Sequence, residues 1–409
     1  MTHAHVDHCG LLPKLVSAGF RGRIYCTEAT SEIAKIILLD SAHLQEEDAE
    51  FKRRRHEREK RKGPFPEIPL YTADDARASF PLFEPVKYGE TVQVGNGVKA
   101  TFHDAGHVLG SAMIKVTVNQ DGEQRTIVFS GDVGQWDKPI LRDPSVFSEI
   151  DYILVESTYG DRLHDDLLDI EDSLAKVVNS TWEAGGNIVV PSFALQRSQE
   201  VLYHLNELLI QNRIPHLMVF LDSPMAISIT EVFRHHSELY DKEMSKLVRQ
   251  DRSPFDFPGL KMVQTADESK AINHISGTVM IIAGSGMCTG GRIKHHLVTN
   301  ISRRESTILF VGYQAVGTLG KQIVDGAKNV RILGQHYPVR ARIAQIHGFS
   351  SHADRNELSR WLFELKRAPK QVFVVHGESQ ASQQFGEFLR EKTNWDVSVP
   401  EYGAEALLD

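Results

Sequence analysis

The chain has 409 residues, of which 41% are hydrophobic and 24% charged, and its formal net charge is −8. This length suffices for two or three domains, and the sequence contains no apolar run of the roughly 20 residues needed to cross a membrane. Because the chain as a whole is acidic, it is not a general nucleic-acid binder, and RNA or DNA would have to bind a local patch or a metal-rich groove.

The cysteines and the N-terminal residues bear on the cellular compartment. Cys9, Cys26 and Cys288 lie far apart, show no paired spacing and are odd in number. The first residues lack the charged-then-apolar pattern of a secretory signal. Free thiols in a reducing cytoplasm are the simplest interpretation, so a cytoplasmic location is predicted.

The first ten residues, "MTHAHVDHCG", contain four candidate metal ligands. On an extended segment, His3 and His5 can direct both rings at one ion. Asp7 and His8, at the turn into a helix, can reach a second ion beside it. Imidazole combined with carboxylate oxygen suits zinc, so the motif predicts a zinc site.

A highly charged segment follows the first helical region. "FKRRRHEREKRKG" carries eight Lys and Arg residues between Lys52 and Lys62. The composition favours an exposed helix with internal charge pairing, followed by a loop. A contact with RNA phosphates is the alternative interpretation.

Short apolar runs recur along the chain and alternate with helical patterns. The runs predict buried strands: "GRIYCT", "VKATFHD", "IKVTV", "TIVFSGD", "YILVEST", "NIVVPSF", "LMVFLDS", "VMIIAGSG", "TILFVGY", "VRILG" and "QVFVVHG". Helices are predicted over "SQEVLYHLNELLIQN" and "ELSRWLFELKRA", where apolar residues recur at i, i+3, i+4 and i+7. A turn at Gln120-Asp121-Gly122 predicts one antiparallel hairpin in an otherwise α/β fold.

Three further candidate ligands follow predicted strands. His107 lies in "HDAGHVLGSA", Asp132 in "VFSGDVG" and His376 in "FVVHGE". Because ligands of α/β sheets gather beyond the carboxyl ends of the strands, we expect these side chains to converge. Singly, each has a structural explanation, such as a turn cap for Asp132 or a buried core histidine for His376.

Two other residues are candidates for orienting a ligand or carrying a proton. Glu156 ends the strand "YILVE", and His352 lies in "GFSSHAD" before a predicted helix. A carboxylate beside an imidazole fixes its tautomer and raises its basicity. His103 is interpreted as a neighbour of the site and not as a ligand.

The motifs together resemble the β-CASP nucleic-acid-processing branch of the metallo-β-lactamase superfamily. The resemblance rests on H-x-H-x-D-H, "AGHVLGSA", "SGD", "ESTYGDR", "SSHAD" and "VHGE", in that order, and on "PSFALQRSQE", "LDSPMA", "GSGMCTGGR" and "GYQAVGTLG" between them. The nearest group in motif pattern is the prokaryotic counterpart of the pre-mRNA 3′-end cleavage endonuclease. The implied fold is a metallo-β-lactamase αββα sandwich, N-terminally truncated, with an inserted β-CASP α/β domain. The implied domain limits are 1–160 and 346–409 for the two parts of the first domain and 161–345 for the inserted one.

The resemblance also implies two Zn²⁺ ions. Their implied ligands are His3, His5 and His107 for the first ion, Asp7, His8 and His376 for the second, and Asp132 as the bridge. Asp7, Glu156 and His352 are the implied catalytic residues, with the Glu156–His352 pair protonating the leaving group.

The implied activity is hydrolysis of single-stranded RNA by a zinc-dependent endonuclease, with 5′-exonuclease activity open. His376 at its motif is the pattern of RNA-cleaving members and favours RNA over DNA. Two alternatives stay open: a non-catalytic RNA-binding paralogue or truncated inactive form, and a small-molecule metallo-hydrolase. A homodimer is compatible with the sequence, which does not choose an oligomeric state.

The inserted domain supplies candidate RNA contacts at strand-to-helix turns and in the glycine-rich "GSGMCTGGR". These candidates are Ser192, Arg197, Ser223, Ser285 and Arg292. Backbone N–H groups of a glycine-rich loop can bind phosphate, but the glycines are explained equally well by a turn.

The position of the histidine motif departs from the family pattern. Members normally carry several dozen residues before it, which form the first strands of the sheet. Here Met1 stands where such a strand would end. A fragment or a start assigned too late is favoured over a true short variant, and His3 and His5 are then expected on an unsupported terminus. Weaker zinc binding and a lower Tm than those of an upstream-extended chain are therefore predicted.

Overall fold

The structure is a computed structural model that describes residues 1–164 and 170–408. The chain divides into two compact units, one formed by residues 1–163 and 352–409 and the other by residues 164–351. Each unit has a sheet and a hydrophobic core of its own. The domain limits implied by the resemblance stay a prediction, a few residues from these unit edges.

The elements are numbered in chain order. The helices are α1 (Val6–Cys9), α2 (Leu12–Ser17), α3 (Glu28–Glu59), α4 (Ala73–Ser79), α5 (Ile170–Ala184), α6 (Arg197–Ile210), α7 (Pro224–His235), α8 (Lys242–Arg249), α9 (Ala266–Ala271), α10 (Ile293–Asn300), α11 (Leu319–Val324), α12 (Arg355–Phe363) and α13 (Ser379–Lys392). The strands are β1 (Ile24–Cys26), β2 (Phe83–Pro85), β3 (Thr91–Gly95), β4 (Val98–Asp104), β5 (Ala112–Gln120), β6 (Glu123–Phe129), β7 (Tyr152–Val155), β8 (Ile188–Pro191), β9 (Met218–Asp222), β10 (Leu260–Met262), β11 (Val279–Ala283), β12 (Thr307–Phe310), β13 (Asn329–Ile332), β14 (Gln335–Pro338), β15 (Arg342–Gln345), β16 (Gln371–Val374) and β17 (Val397–Ser398). Short 3₁₀ turns lie at Phe80–Leu82, Ser237–Leu239, Ile272–His274 and His347–Phe349.

The first unit has four layers: helices α12 and α13, the large sheet, the β1–β2 strand pair, and helix α3. The large sheet has the order β17-β16-β7-β6-β5-β4-β3, and β1 and β2 form a parallel pair. Alternation along β5 directs Met113 toward the core under α12 and α13, and Ala112 toward the core that includes Tyr25 of β1. Helix α3 lies over β2, where the Lys35 ammonium is 5.9 Å from the centre of the Phe83 ring. The predicted α/β class, with αββα layering, is confirmed.

The predicted hairpin joins β5 to β6. Asp121 and Gly122 both have positive φ, 53° and 84°, as the two central residues of a type I′ turn require. Asp and Gly adopt this conformation at low cost, so the local sequence determines the register, which pairs Gln120 with Glu123.

The charged segment forms the second half of α3 and the loop after it. Helix α3 ends where Lys60 adopts a left-handed conformation, with φ 48°. Several basic side chains pair with carboxylates on the same helix: Lys52 with Asp48, Arg54 with Glu50, and Arg55 with Glu59. The structure thus shows the predicted exposed helix with internal charge pairing.

The second unit contains a parallel sheet with the order β10-β9-β11-β8-β12-β15. Its central strands are buried along their whole length, as expected for a parallel sheet. The run "VRILG" differs from the prediction of a buried strand. It forms β13 in an antiparallel hairpin with β14, and Arg331 is exposed while Val330 and Ile332 are buried.

Across residues 1–164 and 170–408, none of the helices combines the length and the apolar character that spanning a membrane requires.

Candidate metal centre

The histidine motif is held against the large sheet of the first unit. The Ala112 amide at the start of β5 donates a 2.8 Å hydrogen bond to the Thr2 carbonyl, and the His3 side chain is buried. His5 stands directly before α1, and Cys9 at its end donates to the Ala4 carbonyl. The expectation that His3 and His5 lie on an unsupported segment is therefore wrong, because this segment is hydrogen-bonded and packed.

One group of ligand atoms gathers around His5. Its Nδ1 lies 3.1 Å from His3 Nε2 and 3.2 Å from His107 Nε2. Asp132 Oδ2 completes the group, 3.3 Å from His3 Nε2 and 3.5 Å from His107 Nε2. These ligand atoms all lie within 4.8 Å of one another, close enough to share one cation.

A second group lies on the other side of Asp132. His8 Nε2 is 3.2 Å from His376 Nε2, and Asp7 Oδ2 lies 3.9 Å and 3.8 Å from these two atoms. Asp132 Oδ1 is 3.2 Å from His8 Nε2 and 3.4 Å from His376 Nε2. One carboxylate therefore faces both groups, each through a different oxygen.

Close backbone approach positions His107 and Asp132. A Cβ at Gly134 would lie 1.9 Å from the Gly106 carbonyl oxygen, so only glycine allows these two loops to pack. The Gly134 amide donates to the Ala105 carbonyl at 2.8 Å. Loop 105–111, which carries His107, is thereby fixed to the loop that carries Asp132.

Parallel pairing of β16 with β7 positions His376 in the second ligand group. The carbonyl of His376 accepts from the Ser157 amide at 3.1 Å, directly after the paired strands end. His376 has a left-handed backbone, with φ 50°. A Cβ at Gly377 would lie 2.5 Å from Ser157 Oγ, so glycine is needed for this turn to pack closely.

Glu156 and His352 lie beside the first group. His352 Nδ1 is 3.2 Å and 3.3 Å from the two carboxylate oxygens of Glu156, and 3.9 Å from Asp132 Oδ2. Glu156 is fully buried and accepts hydrogen bonds from the amides of Val133, at 2.7 Å, and Thr158, at 3.2 Å. This fixed carboxylate is placed to accept a hydrogen bond from Nδ1 of His352 and so to orient its ring.

The electrostatics of the site favour metal binding. Burial lowers the pKa of His3 and holds those of His5 and His107 well below the usual histidine value, so neutral imidazoles are available as ligands. Burial opposes ionisation of Asp132, but the close His3 and His8 imidazoles outweigh it and hold the pKa of Asp132 well below its usual range. His3, His5, His107 and Asp132 are thus in the protonation states that a cation requires. At His8, burial lowers the pKa but the Asp132 carboxylate outweighs it and raises the pKa, so a cation competes with a proton for that imidazole.

One further observation supports a cation at this site. Asp132 Oδ1 is buried and, within the described residues, receives no hydrogen bond of acceptable geometry despite its short distances to His8 and His376. A buried anionic oxygen without such a donor is costly unless a cation neutralises it. Imidazole and carboxylate are the donor set of zinc sites, so the residues fit this metal.

His103 lies outside both groups. Its ring packs edge-on against Phe147, with ring centroids 4.9 Å apart. Tyr159, which sequence reasoning did not single out, makes an edge contact with the His352 ring at 5.8 Å. Its place in "ESTYGD", three residues after Glu156, was the only available signal.

The candidate RNA contacts all belong to the second unit. Ser192, Ser223 and Ser285 follow the carboxyl ends of β8, β9 and β11, which are neighbours in the parallel sheet. Ser223 caps α7 by accepting from the Ala226 amide, and Ser285 Oγ accepts from the Thr289 amide at 2.9 Å. These hydroxyls have local structural roles, and their contact with RNA stays a prediction.

The two candidate arginines are likewise engaged within the second unit. Arg197 donates to the Val311 carbonyl at 2.8 Å. Arg292 donates to the buried Asp222 carboxylate at 2.6 Å, and His296 Nε2 lies 2.5 Å from the other oxygen of Asp222. Sequence reasoning found no pattern for His296, because its partner is distant in the chain.

Comparison with known proteins assigns the chain to a family. The family model of the "Metallo-beta-lactamase superfamily domain" matches residues 1–154, that of the "Beta-Casp domain" matches 198–323, and that of the "Zn-dependent metallo-hydrolase RNA specificity domain" matches 336–400.

Similar proteins occur in bacteria and archaea. Ribonuclease TTHA0252 of Thermus thermophilus is 35% identical over 403 residues, which are 98% of this chain and 86% of that protein. Transcription termination factor FttA of Methanocaldococcus jannaschii is 30% identical over 412 residues, covering 98% of this chain and 61% of FttA. An RNase J-like protein of the same archaeon is 28% identical, with 98% and 86% covered. The chain thus spans most of the first protein and about three fifths of FttA. It belongs to the metallo-β-lactamase superfamily, in the β-CASP ribonuclease branch of metal-dependent hydrolases.

Proposed function

We propose that this protein is a zinc-dependent ribonuclease that hydrolyses phosphodiester bonds of single-stranded RNA with two metal ions. The observation that carries the proposal is the arrangement of two ligand groups around Asp132, with the Glu156–His352 pair beside them. The similarity to Ribonuclease TTHA0252 and the match to an RNA specificity domain support RNA as the substrate.

The proposed assignment of ligands follows the two groups. His3, His5 and His107 would hold one Zn²⁺, Asp7, His8 and His376 the other, and Asp132 both. Zinc at these positions would lower the pKa of a water molecule toward neutrality and polarise the scissile phosphate.

Side chains of the protein supply the proton that the leaving group needs. Hydrolysis adds water across the P–O3′ bond and leaves a 3′-hydroxyl and a 5′-phosphate. His352 donates a proton to the departing 3′ oxygen, and the buried Glu156 carboxylate keeps its imidazole oriented for that transfer. Asp7, the exposed member of the second group, is the remaining proposed catalytic residue.

The test of the activity uses circular and linear single-stranded RNA with zinc-loaded protein. Cleavage of the circle demonstrates endonuclease activity, whereas 5′-exonuclease activity releases mononucleotides only from the linear RNA. An Asp7→Ala/His8→Ala protein is the control and should lose both activities. Binding of RNA without cleavage would contradict the proposal and favour a non-catalytic RNA-binding protein. If the protein neither binds nor cleaves RNA, hydrolysis of a small molecule becomes the favoured function. Single-stranded DNA of the same sequence decides the preference for RNA.

The role of the Glu156–His352 pair is tested separately. Glu156→Gln keeps the side-chain shape but removes the charge that orients His352, and general acid–base catalysis typically contributes about 10²–10⁴-fold to rate. We expect kcat to fall by about 10²-fold, with two zinc ions retained and the alkaline limb of the pH–rate profile shifted. Unchanged kcat would rule out this pair as the proton donor system.

The proposed compartment is the cytoplasm. Cys9, Cys26 and Cys288 are free thiols in the structure, and all three are buried. Burial raises the pKa of each to about 12, which keeps them protonated and unreactive. The homodimer stays a prediction that light scattering can decide.

A further inference from the structure

We propose that the basic end of α3, with the loop after it, is a second contact surface for single-stranded RNA outside the metal centre. This basic end comprises residues 52–67. The proposal rests on the proposed ribonuclease function and names a further surface that its substrate uses.

The basic end concentrates positive charge on an acidic chain. Residues 52–62 carry eight Lys and Arg against two Glu, whereas the whole chain has a net charge of −8. Arg58, Lys60 and Lys62 are exposed and, among the described residues, have no ion-pair partner. These cations are therefore available to an external anion, and each phosphate they neutralise releases counterions.

The loop after α3 folds back along the helix and forms a concavity. Arg53 donates to the Glu67 carbonyl at 3.2 Å, and His56 Nδ1 lies 2.5 Å from Glu67 Oε1. The concavity is lined by Arg53, His56, Lys60, Lys62 and Phe65. The two contacts to Glu67 hold the loop in place, so the surface has a defined shape.

An exposed aromatic ring lies among these cations. The Phe65 side chain is 80% exposed, although phenylalanine is usually buried. Cations that track a phosphate backbone, combined with an aromatic face on which a base can stack, are characteristic of single-stranded nucleic-acid surfaces. An acidic peptide would use the charges and leave the ring unexplained, so RNA is the partner that both features favour.

The length of α3 sets the distance between this surface and the metal centre. Helix α3 begins beside loop 105–111, where Thr27 donates to the Gly110 carbonyl at 2.6 Å, three residues after His107. Its 32 residues span roughly 48 Å at 1.5 Å per residue. At about 3.4 Å per nucleotide in a stacked strand, roughly 14 nucleotides are needed to reach from one to the other. Short RNAs cannot use both surfaces.

The test compares RNAs of about 30 and about 6 nucleotides, lengths on either side of this requirement. The variant is Arg58→Gln/Lys60→Gln/Lys62→Gln. Tethering a substrate at a second surface raises its effective concentration at the first, so KM for the long RNA should rise about tenfold with kcat unchanged. Cleavage of the short RNA should match that of the unmodified chain.

Two control proteins distinguish loss of charge at the basic end from a general loss of charge or of folding. Lys87→Gln/Lys99→Gln/Lys366→Gln removes the same charge from exposed sites elsewhere in the first unit and should leave KM for both RNAs unchanged.

Arg58→Lys/Lys60→Arg/Lys62→Arg keeps the charges of the basic end and should retain the KM of the unmodified chain for the long RNA. Phe65→Ala should weaken binding of the long RNA about tenfold through loss of stacking, and Phe65→Tyr should restore it.

Salt dependence gives a readout that does not require cleavage. In a His376→Ala background, removing three phosphate contacts should make the slope of log K against log salt less steep by about 2, since each contact contributes about 0.7 on single strands. An unchanged slope together with an unchanged KM for the long RNA would overturn the proposal. If the unmodified chain cleaves neither RNA, the proposed function fails, and the slope still decides whether the basic end binds RNA.

Discussion

Asp132 is the residue that lies between the two ligand groups. Its two oxygens face different groups, whereas each histidine belongs to one. The consequences of removing a ligand should therefore depend on which group the ligand serves. Loss of one histidine leaves the other group intact, but loss of Asp132 removes an oxygen from both.

The metal content of variants tests this arrangement. We expect His5→Ala and His376→Ala each to retain one zinc, and Asp132→Ala to retain none, as measured by inductively coupled plasma mass spectrometry on folded protein. His103→Ala is the matched control and should retain two, because His103 packs on Phe147 outside both groups. Two zinc ions in His376→Ala would refute the assignment of the second group.

Asp104 should make the free energy of unfolding depend on pH. Burial raises its pKa to about 7, although the Gly106 amide and Arg142 oppose this shift. An unfolded Asp has a pKa of about 3.9, so the unfolded chain releases this proton first as pH rises, and the free energy of unfolding falls between about pH 4 and 7.

Asp104→Asn should remove that loss of stability while keeping an oxygen that accepts from the Gly106 amide. The variant should be more stable than the unmodified chain at about pH 8, by on the order of 2–4 kcal/mol, and no more stable at about pH 4. Chemical denaturation of the metal-free proteins at both pH values measures the difference. An equal gain at both would show that charge on Asp104 is not the cause.

Helix α3 connects the loop of one candidate ligand with the proposed RNA surface. Its N-cap Thr27 accepts from the Thr30 amide and donates to Gly110, in the loop that carries His107. Thr30 Oγ1 also donates to the Gly110 carbonyl, at 2.7 Å. The start of the helix is thus attached to the metal centre, while its far end carries the proposed RNA surface.

Removing this attachment should affect both stability and metal affinity. Thr27→Ala is expected to cost about 0.5–2 kcal/mol, the usual range for an N-cap, and to weaken zinc binding. Thr72→Ala removes the N-cap of α4 in the same unit and should lower stability without changing zinc affinity. Thermal denaturation and competition with a zinc chelator measure the two effects. Equal zinc affinity in the two variants would show that the Thr27–Gly110 contact does not support the site.

The division into two units predicts that the first unit can fold without residues 164–351. Within the first unit, the Arg355 amide donates to the Arg162 carbonyl at 3.2 Å, so the chain leaves and re-enters this unit at adjacent points. All candidate ligands, Glu156 and His352 lie in that unit. A short Gly-Ser linker can therefore replace residues 164–351 without stretching the backbone.

The shortened chain should fold and bind two zinc ions, because one core cluster and all the candidate ligands lie within the first unit. Residues 164–351 alone should also unfold cooperatively and should bind no zinc, because none of the candidate ligands lies in this segment. Calorimetry and metal analysis of the two pieces provide the measurement. A shortened chain that folds but binds no zinc would show that the second unit is needed to form the site.

Local patterns sufficed for the features that depend on neighbouring residues. Asp121-Gly122 identified the β5–β6 turn because the positive φ angles are a property of those two residues. The charge alternation of α3 identified an exposed helix because side chains four residues apart are neighbours on a helix surface. The run that forms β13 was placed in the wrong environment, because apolar content alone does not distinguish a buried strand from an edge hairpin.

Residue type and order were enough to predict the candidate metal ligands and to identify the family, since both depend on motifs that are read directly along the chain. The tertiary structure shows how the expected convergence of His376 and Asp132 arises, because β16 pairs with β7 and β7 pairs with β6, which ends just before Asp132. It alone decided which oxygen of Asp132 faces which group and that the His3 segment is hydrogen-bonded to β5. Such contacts follow from strand pairing and loop packing between distant segments, which no local pattern encodes.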